Sequence, residues 1–108
     1  MNIIQHVSQN DFSREVLQSD VPVLIDFYAD WCGPCRMFSP TLQKVAKDYQ
    51  GKAKIVKVDV DREPALAGRF NVSSIPTLVF VHNGEVVGRT TGLVSEAVLT
   101  RALDQLTA

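Results

Sequence analysis

The sequence predicts an α/β fold: a central mixed five-stranded sheet flanked by four helices, in the order β-α-β-α-β-α-β-β-α. Three observations predict it. Residues 21–29 and 53–60 are rich in β-branched and aromatic side chains, with apolar residues on both faces of the first, so both read as central strands covered above and below. Between them Phe38, Leu42, Val45 and Tyr49 recur at steps of four, three and four, a helical stripe. Near the end, His82-Asn83-Gly84-Glu85 carries Asn-Gly, a strong hairpin signal. The early strands therefore run parallel, joined by right-handed helical crossovers, and the last two run antiparallel.

Each element has its own justification. Residues 3–7 are a short strand candidate. Phe12, Val16 and Leu17 follow at helical spacing, with Ser8 or Asn10 as N-cap. In the next strand Val23, Ile25 and Phe27 share one face and Leu24 and Tyr28 the other. The long helix contains Pro40, which should kink it, and ends at Gly51 as a left-handed cap. Residues 61–70 form a short helical connection that tolerates Pro64 only near its start. Strands follow over 77–81 and 86–91. Ser95 caps a last helix whose inward face is Val98, Leu99, Ala102, Leu103 and Leu106. Phe12, Phe27, Phe38, Phe70 and Phe80 read as core.

With 108 residues and no repeat, linker or low-complexity block, a single domain over 1–108 is expected. Lys plus Arg number 11 and Asp plus Glu 12, a net charge of −1, which argues against nucleic-acid binding through phosphate neutralisation and against docking on anionic lipid. The longest apolar run is Leu78-Val79-Phe80-Val81, far short of the roughly 20 residues of a membrane span. The first six residues have neither a basic segment nor an apolar core, so no signal peptide is expected, and a reducing cytoplasm is the expected location.

The chemistry-bearing feature is Trp31-Cys32-Gly33-Pro34-Cys35, between a buried strand and a helix start. Helix N-termini present unsatisfied N–H groups and stabilise anions, so a cysteine there holds more thiolate, the form that attacks disulfides. Cys32 is expected as the exposed nucleophile, with Cys35 shielded one turn on as the resolving thiol. A zinc half-site has the same spacing but needs four ligands, and His6 and His82 are distant and unpaired, with no partner evident. An inert staple over so short a loop would stabilise little. Asp26 lies in a strand covered on both faces, where lost hydration raises a carboxyl pKa. Lys57 reads equally as a central-strand lysine or a snorkelling surface one. Pro76 reads as a trans proline starting a strand.

Trp31-Cys32-Gly33-Pro34-Cys35, with Asp26-Phe27-Tyr28-Ala29, Ile75-Pro76-Thr77, Asn83-Gly84 and Gly92, resembles the thioredoxin family over the whole chain. The resemblance implies the thioredoxin fold and a general protein dithiol–disulfide oxidoreductase acting through a redox-active Cys32–Cys35 disulfide. It implies Asp26 as proton carrier, Lys57 beside it, Gly33 and Pro34 as tuning residues, and a cis Pro76 facing the pair. Trp31, Gly33, Pro34, Ile75, Pro76, Thr77 and Gly92, with Leu93, would form the substrate rim. No Gly-x-Gly-x-x-Gly dinucleotide motif occurs, so no bound cofactor or metal is expected and electrons must come from outside. By resemblance the donor is thioredoxin reductase, an NADPH-dependent flavoprotein, the clients are varied disulfide-bearing proteins, and the chain is a monomer. The chain departs from many bacterial members at Tyr28 (Trp there), Arg36 (Lys), Ser74 (Gly) and Thr91 (usually apolar).

Overall fold

The computed structural model describes residues 3–108. Five strands form one sheet: β1 (Gln5–His6), β2 (Val23–Tyr28), β3 (Lys54–Asp59), β4 (Thr77–His82) and β5 (Glu85–Thr91), in the order β1-β3-β2-β4-β5. The β1–β3 and β3–β2 pairs are parallel, while β2–β4 and β4–β5 are antiparallel. Four helical segments flank the sheet: α1 (Gln9–Phe12, continuing as a π-helical turn over Ser13–Leu17), α2 (Gly33–Asp48), α3 (Pro64–Arg69) and α4 (Glu96–Thr107). This is the expected mixed architecture.

The two faces of β2 divide the core as the alternation predicts. Leu24 joins Ile55, Leu78 and Phe80 under α2 and α4, against Phe38, Leu42, Val45, Leu99 and Leu103. Val23, Ile25 and Phe27 join Val56, Val58, Val79 and Val81 under the other helices, against Phe12, Val16 and Leu66. All six residues of β2 are buried, which makes it the axis of the fold. Phe70 is only half-buried, yet its ring packs 5.4 Å from that of Phe12 and 5.6 Å from that of Phe27.

Several boundaries differ from expectation for local reasons. β1 is two residues long, because only Gln5 and His6 pair with β3, while Ile4 and Val7 turn into opposite cores. Ser8 occupies the N-cap position of α1 but does not cap it; its hydroxyl donates to Asp11 Oδ2 instead. The helix then widens, and the Gln18 amide donates to Ser13 O, five residues back. α2 runs through Pro40 and ends at Asp48, before Gly51. Gly51 does adopt a left-handed φ of +86°, turning the chain into β3. The β4–β5 turn places both Asn83 and Gly84 at positive φ, as a tight hairpin demands. Val98, expected on the inner face of α4, is 47% exposed, and Leu99 and Leu103 carry the burial.

Ser95 Oγ accepts the Val98 amide at 3.2 Å and so satisfies a free N–H in the first turn of α4. Ser95→Ala is expected to lower stability by about 1 kcal/mol, read as a lower denaturation midpoint with an unchanged m-value.

Candidate active site

β2 delivers the chain to the start of α2, and Cys32 is the N-cap residue of that helix. Gly33 and Pro34 begin the first turn, where a missing N–H costs nothing because those donors have no helical partner. The Cys35 amide donates to Cys32 Sγ at 3.2 Å, so the sulfur takes the place of a capping oxygen. Any negative charge gathering on Cys32 therefore meets an N–H and the positive end of a 16-residue helix. Cys32 and Cys35 are joined as a disulfide, with Cα atoms 5.3 Å apart.

Exposure departs from the sequence reading. Cys35 is shielded as expected, at 5% exposed, but Cys32, expected exposed, is 4% exposed. In the disulfide each sulfur covers the other, and Tyr28, Ala29, Val60 and Ile75 pack around both. Ile75–Pro76 is a cis peptide, as the resemblance implies and the residue pattern alone did not. The Ile75 carbonyl oxygen lies 3.9 Å from Cys32 Sγ.

The expected rim is only partly at the surface. Trp31 is 67% exposed, with its indole Nε1 donating to Asp61 Oδ2 at 2.7 Å, and Leu93 is 51% exposed. Ile75 and Gly92 are half-buried, and Gly92 takes a φ of +86° with open space where a Cβ would stand. Pro76 is buried, its carbonyl accepting the Gly92 amide at 2.8 Å. Thr77, expected at the substrate surface, is 1% exposed; its side chain turns inward and the hydroxyl donates to Ser74 O. Pro76 and Thr77 are thus buried and not part of the exposed surface. A groove of about 380 Å³ runs beside Trp31 and Ile75, lined also by Val60, Val72, Ser73 and Ser74. Val60, Val72 and Ser73 escaped the sequence reading, although Val60 directly follows a strand that ends at the site.

Asp26 is 1% exposed on the α2 side of the sheet, paired with Lys57 on β3 and Leu78 on β4. Its Oδ1 has no hydrogen-bond partner among the described residues. Burial pushes its carboxyl up to about 7, and the Lys57 charge partly opposes this. Lys57 is half-buried with its ammonium over the Tyr28 ring, so it is not a solvated surface lysine. A small cavity of about 130 Å³ brings Cys35 and Lys57 to one wall system. His6 does have a partner, contrary to the sequence reading: its Nδ1 is hydrogen-bonded to Tyr28 Oη at 3.0 Å. His82 ends β4, away from the cysteines, opposite Glu85. Among the described residues no cluster of three His, Cys, Asp or Glu could hold a metal, and no helix is long and apolar enough to cross a membrane.

A family model described as Thioredoxin matches residues 3–105. The chain belongs to the thioredoxin family. Among similar proteins of this family are Thioredoxin 1 of Nostoc sp., 43% identical over 97% of this chain and 98% of that protein, and Thioredoxin of Haemophilus influenzae, 42% identical over the same shares. The chloroplastic M-type thioredoxin of Spinacia oleracea is 38% identical over 94% of this chain and 56% of that longer protein. Family and geometry agree on the chemistry: a redox-active disulfide at a helix N-terminus, suited to thiol–disulfide exchange.

Proposed function

We propose that this chain is a general protein-disulfide reductase, a single domain over residues 1–108 working as a monomeric carrier of electrons in the cytoplasm. The observation that carries the reading is the capping of Cys32 Sγ by the Cys35 amide at the mouth of α2. In the reduced protein the Cys32 thiolate attacks a substrate disulfide, forming a mixed disulfide and releasing one substrate thiolate. Cys35, its proton taken by Asp26, then attacks Cys32 Sγ and releases the second. Two electrons have passed to the substrate, whose two thiolates take up the proton held by Asp26 and one from solvent, and the Cys32–Cys35 disulfide remains.

Substrate would lie along Trp31, Ile75 and Gly92, with pairing through main chain more than side chain. The half-buried Gly92, with no side chain above it, supports close approach of an extended segment. Gly33 and Pro34 tune the pair, and Pro76 and Thr77 support the surface. Regeneration falls to thioredoxin reductase, the NADPH-dependent flavoprotein, and the clients are varied disulfide-bearing proteins.

The reading is tested by supplying NADPH, a thioredoxin reductase and a protein disulfide. NADPH consumption should depend on both this chain and the disulfide substrate. Equilibration with a glutathione buffer tests the direction. A reduction potential well above that of the cytosolic glutathione pool would make the chain an oxidant and overturn the assignment.

A further inference from the structure

His6, Lys57 and Asp26 occupy one row across the sheet, since His6 pairs with Lys57 and Lys57 with Asp26. Residues in one such row project to the same face. Tyr28 lies two residues beyond Asp26 on β2 and shares that face. Its hydroxyl bonds to His6 on β1, although β3 lies between those strands. The phenol ring is therefore a strap across β3, tied at both ends and only 7% exposed. The Lys57 ammonium lies against the face of this ring, 4.2 Å from its centroid. The His6 ring meets the Tyr28 ring edge-on at 5.7 Å, which adds to the tie.

The strap also lines two cavities. The outer one, about 360 Å³, is lined by His6, Tyr28 and Lys57 among others. The inner one, about 130 Å³, is lined by Tyr28 and Lys57 and reaches Cys35. Tyr28, Asp30 and Lys57 are the walls common to both. A flexible four-carbon side chain between two cavities has several places to put its charge, and a π face that attracts a cation selects one of them.

We propose that Tyr28, anchored by His6, is a positioning residue that fixes the Lys57 ammonium on the Asp26 face of the sheet, one strand from that carboxyl, and thereby tunes proton exchange between Asp26 and the cysteine pair. This rests on the proton-carrier role of Asp26 in the proposed function. A cation held there favours the ionised carboxylate. A loosened Lys57 would leave Asp26 holding its proton to higher pH. The other charged groups facing Tyr28 and Lys57 are Asp30, Asp59, Arg62 and Glu63 from the outer side and Arg36 from α2. All stay constant in the test.

The experiment is an NMR titration of the Asp26 side-chain carboxyl in the oxidised full chain, compared with the pH profile of disulfide exchange. Tyr28→Phe keeps the ring and removes the anchor. His6→Ala removes the anchor from the exposed end, where folding is not at stake, and His6→Asn restores a polar group near the Nδ1 position. The Asp26 midpoint should rise by about half a pH unit in Tyr28→Phe and in His6→Ala. It should rise further in Lys57→Met and return towards wild type in His6→Asn. A merely structural role would lower the melting temperature and leave the midpoint in place. Unmoved midpoints in Tyr28→Phe and His6→Ala, whatever Lys57→Met does, would overturn the positioning role. Midpoints that move while the rate profiles do not would uphold it and count instead against Asp26 as the proton carrier.

Discussion

Cys32→Ser is expected to abolish reduction of a protein disulfide, by a factor of about 10³ or more, with the fold retained. A serine hydroxyl can still accept the Cys35 amide, so the helix start survives. It cannot supply a thiolate, and the one cysteine left, Cys35, lies inside the first turn of α2 rather than at its mouth. Cys35→Ser should behave differently. The first attack by Cys32 still proceeds, but nothing resolves the product, so mixed disulfides accumulate. Mass spectrometry of the variant after mixing with cell extract would show covalent adducts on Cys32, removable by dithiothreitol. Substantial turnover by Cys32→Ser would sink the mechanism. Adducts on Cys35 in the Cys32→Ser protein, at rates matching the reciprocal variant, would reverse the assignment of the two roles.

Asp26→Asn carries the second large effect, and its sign depends on pH. The folded carboxyl titrates at about 7, against an ordinary value of 3.8. Between those values the folded chain retains a proton that the unfolded chain has released. Stability from this group is therefore fully present below about pH 4 and is lost as pH rises through about 7. Roughly three units at about 1.4 kcal/mol each put the loss on the order of 4 kcal/mol in alkaline solution. The uncharged amide avoids most of that cost while leaving a polar group to satisfy. Asp26→Asn should thus be more stable than wild type by about 2–4 kcal/mol at pH 9 and nearly equal at pH 4. Urea denaturation at the two pH values checks it, and equal gains at both would refute burial of an ionising carboxyl as the cause. The same variant should slow exchange by about 10- to 100-fold, because Cys35 loses its proton acceptor.

The sequence reading succeeded where local pattern and final environment coincide. Alternation in β2 placed Leu24 and Phe27 in opposite cores, and both are fully buried there. The stripe from Phe38 to Tyr49 located α2 within a few residues, and Asn83-Gly84 located the hairpin. Asp26 was legible as buried because its neighbours on the strand are apolar on both faces. What failed depends on strand order or on side-chain direction. The Tyr28–His6 bond crosses an intervening strand, so no spacing along the chain announces it. Cys32 is covered by Ile75, 43 residues away, a contact that no local pattern around the cysteines signals. The resemblance implies Thr77 on the rim, but strand alternation turns its hydroxyl inward to Ser74.

The two margins of the sheet have a bearing on how this protein behaves in a crowd of its own copies. A free strand edge is a template for pairing with another chain. Here one margin is β1, two residues long, too short to seed a ladder. The other, β5, bears Glu85 and Arg89 and is paired to β4 through an irregular register at Phe80/Val81. The Arg89 guanidinium folds back onto the carbonyls of Phe70 and Asn71, bracing the outer strand against the rest of the molecule. Those features discourage zippering between copies even though Val86 and Val87 are half-exposed on that strand. Neither margin therefore offers another copy a long, regular ladder of free main-chain groups.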